Sequence, residues 1–287
     1  MRRIAAPLVL LAFWPAGNLL AWGPLGHKWI HARALESVPA ALVAVFGADG
    51  PYLVDHALDP DDWRANDPEE NPRHFIDLDR YGSFPFPGLT LDYDQMVQRH
   101  GLDKVKANGT ILWTTSQVMA RLEKAFRNGD RAAMLREAVT LGHYVADIHQ
   151  PFHAVANYDG QLTGQRGIHG RLEFDVEERV VPGLKAGSGQ LRPILDPVKE
   201  TYDIALDSFS MVDPILVWDW KIVRDLKIDR ASLPRDPEKK FPIYPEEYHR
   251  QLTERIGPLA VRRIREAAWA VASFWTQAWT NSQKSPP

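Results

Sequence analysis

The chain has no cysteine among its 287 residues. No disulfide can staple it and no thiolate can hold a metal, so any metal must rest on imidazole nitrogens and carboxylate oxygens. A chain of this length builds a core without crosslinks. It also lacks an excess of basic charge, with 34 Lys and Arg against 37 Asp and Glu and a formal net charge of −3. No basic stripe marks a nucleic-acid face, and bulk charge neither favours nor excludes a polyanionic substrate. Strand signals are few and short, and no repeat, low-complexity tract or dividing linker interrupts the chain. A long apolar run is missing as well. The sustained apolar stretch from Ile4 to Phe13 is too short and too close to the terminus for a membrane span. Preceded by Arg2 and Arg3 and followed by a small-residue end at Ala21, residues 1–21 read as a secretory signal peptide. The arginine pair lacks a twin-arginine surrounding, so ordinary Sec export to the periplasm or exterior is expected. Cleavage after Ala21 makes Trp22 the first residue of the mature chain, 22–287.

What is present is helical. Residues Ile111 to Phe126 are amphipathic, with Val118, Leu122 and Phe126 in step. Asn128-Gly129 closes that element and Asp130 caps the next, whose apolar stripe is Met134, Ala138, Leu141, Val145 and Ile148. A closing helix is expected from about Leu259 to Thr280, with Ile264, Ala268, Val271, Phe274 or Trp275, and Ala278 on one stripe. Phe84 to Gly88 and Ser232 to Pro245 are Pro-rich loops, and Asp159 to Gly170 is a Gly-rich connection. The expected fold is mostly α, a single-domain helical bundle.

The most informative stretch reads His-x3-Asp-x5-His at His143, Asp147 and His153, followed by His-x3-Glu at His169 and Glu173. His143 and Asp147 are one helical turn apart, share a face away from the apolar stripe, and can reach one metal. His153 lies ~9 Å further along at ~1.5 Å per residue, with Pro151 ending or kinking the helix between them. That is too far for the same ion and suits a neighbouring one. The bland alternative is a solvated helix face that happens to carry these residues.

Taken with Trp22 five residues before His27 and with Asp61-Asp62-Trp63-Arg64 and His74-Phe75-Ile76-Asp77, the pattern resembles the trinuclear zinc phosphodiesterases. That superfamily holds the single-strand nucleases of the S-one and P-one type and the bacterial zinc-dependent phospholipases C. The likeness runs from Trp22 to about Glu173 and, more faintly, through the closing helix. It implies a bundle of that type holding three Zn²⁺ ions. One would take Asp61, His74, His143 and Asp147. Its close partner would take the α-amino nitrogen and carbonyl oxygen of Trp22, His27 and a bridging Asp147. The third would take His153, His169 and Glu173. Asp59, Asp61 and Asp62 crowd one stretch; Asp61 is chosen because Asp61 to Arg64 matches the nucleases' Asp-x-x-Arg. The resemblance further implies a water between the close pair, acidified to hydroxide, that Asp61 orients or deprotonates. Arg64 would stabilise phosphoryl charge, its alternative being an ordinary ion pair. Phe75 and Asp77 would stack on and hydrogen-bond a base, although a Phe in such a stretch also serves as core.

Departures from the pattern leave the substrate open. Arg64 and the short Trp22 to His27 spacing favour the nucleases. Glu173, the short His153 to His169 interval and the closing helix look more like the phospholipases. The expectations are therefore an exported nuclease on single-stranded DNA or RNA, alternatively a phospholipase C or other phosphodiesterase, alternatively a zinc-stabilised binding protein without turnover. The chain is expected to be monomeric, with no stable protein partner. His31 is expected on a helix surface, and His56, His100, His149 and His249 match no motif position.

Overall fold

The computed structural model describes residues 22–237 and 242–284. The expected signal peptide and its cleavage point fall outside the described residues, as does part of the 232–245 loop. Among the described residues there is no β-strand, only an isolated bridge between Arg235 and Pro242. The chain begins with α1 (Pro24–Ser37), α2 (Ala40–Phe46), α3 (Gly50–Asp55) and the short α4 (Asp59–Trp63). After 3-10 turns at Asn71–His74 and Leu78–Tyr81 come α5 (Tyr93–His100) and α6 (Leu102–Ala107). The hairpin of α7 (Ile111–Asn128) and α8 (Arg131–Asp147) follows, then α9 (Ile168–Gly170), a π-helical turn Arg171–Val176, and α10 (Glu177–Val180). The fold closes with α11 (Pro197–Ser210), α12 (Val212–Asp225) and α13 (Glu246–Ser282).

The α7–α8 hairpin is encoded locally. Gly129 takes a left-handed conformation (φ 65°) that ends α7. Asp130 then caps α8, its side chain accepting from the Ala133 N–H at 3.0 Å. Helix α8 runs through the middle of the bundle, packed by α1, α3, α4, α7 and α13. Because neighbours surround it, every residue from Glu137 to Asp147 is buried. The face carrying His143 and Asp147 is thus not a solvated one. Two indoles brace the helix from outside: Trp22 Nε1 donates to the Ala146 carbonyl at 3.1 Å, and Trp275 Nε1 to that of Ala138 at 2.9 Å. The first contact brings Trp22 to the turn of α8 that ends in Asp147.

Two expectations need correction. Helix α13 begins at Glu246, well before Leu259, and continues through Pro258. An internal proline costs about 3 kcal/mol; burial of Tyr248, Leu252 and Ile256 upstream offsets it. His31 is buried rather than on a surface, with Nδ1 donating to the Leu53 carbonyl at 2.7 Å. The reason is close packing of α1 on α8 at Gly142, where a Cβ would stand 2.7 Å from His31 Nε2.

Candidate metal centre

Four elements deliver five ligand-type side chains to the C-terminal end of α8. Helix α1 contributes His27, α4 contributes Asp61, and the turn Asn71–His74 contributes His74; α8 itself contributes His143 and Asp147. All five are buried. The ligand atoms of His27, Asp61 and His143 lie within 4.8 Å of one another, as do those of His74, His143 and Asp147. The two carboxylate oxygens of Asp147 face opposite ways. Oδ1 is 3.3 Å from His27 Nε2, whereas Oδ2 is 2.7 Å from His74 Nδ1 and 3.4 Å from His143 Nε2. The His27 and His143 rings stack 4.3 Å apart.

A second group forms where α8 gives way to a loop. Pro151 opens a 3-10 turn that presents His153, and α9 with its π-helical continuation presents His169 and Glu173. Their ligand atoms also lie within 4.8 Å of one another. Glu173 Oε1 contacts His169 Nε2 and is 3.8 Å from His153 Nε2. Each histidine and carboxylate expected as a metal ligand therefore falls in one of two adjoining clusters. For Trp22, the structure shows the side chain anchored beside Asp147.

The donor set fits divalent cations. His143, His153 and His169 each donate Nδ1–H to a backbone carbonyl, of Ala57 at 2.8 Å, His74 at 2.6 Å and Tyr158 at 2.9 Å. With that proton committed, each Nε2 turns a lone pair into the site, as in metal-ligating histidines. His74 is reversed: Nε2 meets Glu70 Oε1 at 3.2 Å and Nδ1 faces the cluster. Asp61 Oδ2, Asp147 Oδ1, His27 Nε2, His153 Nε2 and Glu173 Oε2 are buried without a hydrogen bond. Buried polar atoms are seldom left so, because each costs about 1–3 kcal/mol. A cation in each cluster would satisfy them together.

The electrostatics say the same. Burial opposes charging His143, but Asp147 and Asp61 outweigh it and push its pKa up to about 10. Asp147 is held well below the usual range, burial notwithstanding, by His143, His27 and His74. In the second group burial pushes Glu173 up and His153 down to about 3. One cluster thus attracts positive charge into itself and the other presents neutral ligands in a dry setting. Both states suit a cation that takes the place of protons.

Of the three crowded aspartates only Asp61 is buried and turned to the cluster, while Asp59 pairs with His56 at 2.9 Å near the surface. Arg64 is the neighbour of Asp61 one turn on, with Nη2 at 3.0 Å from Oδ1 and a side chain only 9% exposed. It is an inward-facing ion pair, not a surface one. Phe75 is half-buried next to ligand-type His74, and Gly109 presses on its carbonyl with φ +88°, where a Cβ would stand 2.1 Å away. Burial, with Asp79 nearby, pushes the Asp77 carboxyl up to about 7.

Three side chains escaped sequence reading. Glu70 is buried and accepts from Tyr144 Oη, from Arg73 at 2.6 Å and from His74. Gln150 donates to Glu173 at 2.8 Å and accepts from the Phe152 N–H at 2.5 Å. Glu177 sits beneath the start of α1. The only local signal was Glu70 four residues before His74, a spacing too common to single out. Glu70 orients the His74 ring and raises its basicity. Glu70→Ala is expected to weaken metal affinity by about 10–100-fold, the usual cost of such a partner. Chelator competition measures this, and unchanged affinity would remove Glu70 from the account.

Comparison with known proteins adds one finding. The model of the S1/P1 nuclease family matches residues 22–169, just over half of the chain and all the candidate ligands except Glu173. Among curated proteins, none matches.

Proposed function

Because the chain belongs to the S1/P1 nuclease family and is thereby a phosphodiester-cleaving hydrolase, we propose that it is an exported nuclease acting on single-stranded DNA or RNA with three zinc ions. Asp61, His74, His143 and Asp147 would hold one ion. The Trp22 α-amino and carbonyl groups, His27 and Asp147 would hold a second, and His153, His169 and Glu173 a third. When bound, zinc supplies an acidified water at neutral pH and neutralises charge on phosphoryl oxygens. The remaining work falls to the chain. Asp61, whose pKa is drawn down to about 2 by His143 and Arg64 against the pull of burial, stays ionised and can orient the attacking water. Arg64 presents a planar fork of donors beside it and can meet charge developing on the phosphoryl group. Asp77, its carboxyl pushed up to about 7 by burial, is part protonated and part ionised near pH 7 and so can donate to or accept from a base edge, and half-buried Phe75 offers a ring face.

The inward-facing Arg64–Asp61 pair carries this reading over phospholipid cleavage. Arg64→Ala is expected to lower kcat by about 10²-fold, as loss of one transition-state donor does. KM should change much less and zinc content not at all. Near-full activity in the variant would instead favour a phospholipase, the reading to which the position of Glu173 and the long α13 lend support. The deciding assay offers zinc-loaded mature protein single-stranded DNA, single-stranded RNA and phosphatidylcholine side by side. Faster turnover of nucleic acid supports the nuclease, faster turnover of lipid overturns it, and turnover of none leaves a zinc-stabilised binding protein.

A further inference from the structure

Helix α1 starts without a cap of its own. Gly23 offers no side chain, and Pro24 follows at the first helical position. The N–H groups of a first turn still need acceptors. Glu177 supplies them from a place 151 residues away in sequence: the Gly26 N–H donates to its Oε1 at 2.8 Å. The N–H groups of Gly23 and Leu25 face the same carboxylate. Glu177 is 1% exposed, burial pushes its pKa up to about 8, and its Oε2 makes no hydrogen bond.

That is a costly way to cap a helix. A serine or aspartate at position 23, the usual local cap, has no room there because Gly23 is buried, and the carboxyl that replaces it has to be taken out of water. The surroundings are shaped to accept it nonetheless. A Cβ on Gly26 would come 2.4 Å from Glu177 Oε2. A Cβ on Gly23 would meet Glu177 Oε1 at 2.9 Å and the Glu173 carbonyl at 2.6 Å. The N-terminal turn is thus seated directly on the helical segment that carries Glu173 and Glu177.

The geometry points to Glu177 as a positioning residue that fixes the first turn of α1, and with it Trp22 and His27, against the segment holding His169 and Glu173. The Trp22–Gly23 peptide is planar and trans, so its N–H and C=O point in opposite directions. With the Gly23 N–H turned toward Glu177, the Trp22 carbonyl points away from it. One turn further on, Gly26 fixes the backbone that carries His27. Glu173 and Glu177 are four residues apart, so one short segment serves both metal groups. This inference rests on the three-zinc reading proposed above.

The test compares zinc content by mass spectrometry and zinc-dependent thermal stabilisation in wild type, Glu177→Leu, Gly26→Ala and Glu177→Gln. Glu177→Leu should lose one zinc per chain and part of the Tm gain on adding zinc, while its Tm in EDTA stays at or above that of wild type. A merely structural role would lower both Tm values together. Gly26→Ala keeps the carboxylate but crowds it aside, and should lose the same zinc; it decides the matter if Glu177→Leu does not fold. Glu177→Gln keeps one acceptor and should restore the count. Full zinc content and an unchanged zinc-dependent Tm gain in both Glu177→Leu and Gly26→Ala would overturn the anchor role. Wild type free of zinc would instead overturn the reading on which it rests.

Discussion

Replacing Asp147 by asparagine is expected to strip two metals at once, to abolish most activity and to lower stability. The two oxygens of Asp147 face different histidines, Oδ1 toward His27 and Oδ2 toward His74 and His143. Asp61 approaches His74 and His143 through one oxygen only, Oδ1, at 3.7 Å from each. An amide offers one oxygen and no charge, so it can serve one ion poorly and the other not at all. Activity should fall on the order of 10³-fold or more, because groups that act as a unit fail together. Stability should fall with the metals, since binding to a site that exists only in the folded chain is folding free energy. The contrast is Glu173→Gln, which touches the second group alone and should cost one ion. Metal analysis and calorimetry of the two variants read this directly. Loss of one ion or none in Asp147→Asn would break the bridging assignment.

An added residue ahead of Trp22 should be nearly as damaging. In the proposed site the α-amino nitrogen and carbonyl oxygen of Trp22 bind together, which requires a free N-terminus at that residue. Acylating the nitrogen with another residue removes its lone pair and its reach. The indole donation to Ala146 and the seat of α1 do not depend on that nitrogen, so the fold should survive. The expected result is a folded protein with one zinc fewer and little turnover. Equal zinc content and activity in chains beginning at Ala21 and at Trp22 would exclude the amino group as a ligand.

The parts of this architecture that were legible in the sequence are local ones. Asn128, Gly129 and Asp130 announce the α7–α8 turn through backbone conformation and capping alone. His143 and Asp147 announce a shared face through helical spacing. The rest of the candidate site was legible only as a whole pattern, because Trp22, His27, Asp61 and His74 carry no spacing relation to α8. What stayed hidden depends on packing between distant segments. His31 is buried because Gly142 admits α1 close to α8. Glu70 acquires its role from Tyr144, 74 residues on, and Glu177 from Gly26, 151 residues back. Helix α13 runs past Pro258 because its neighbours hold both halves, which no local propensity records.

The central claim is that nine residues converge as ligands around three ions. Anomalous scattering at the zinc edge from crystals of the chain beginning at Trp22 tests it most directly. The account predicts three peaks. A close pair should share Asp147, one member bound by Asp61, His74 and His143 and the other by His27 and Trp22, with the third among His153, His169 and Glu173. A single peak, or peaks remote from these side chains, would contradict it.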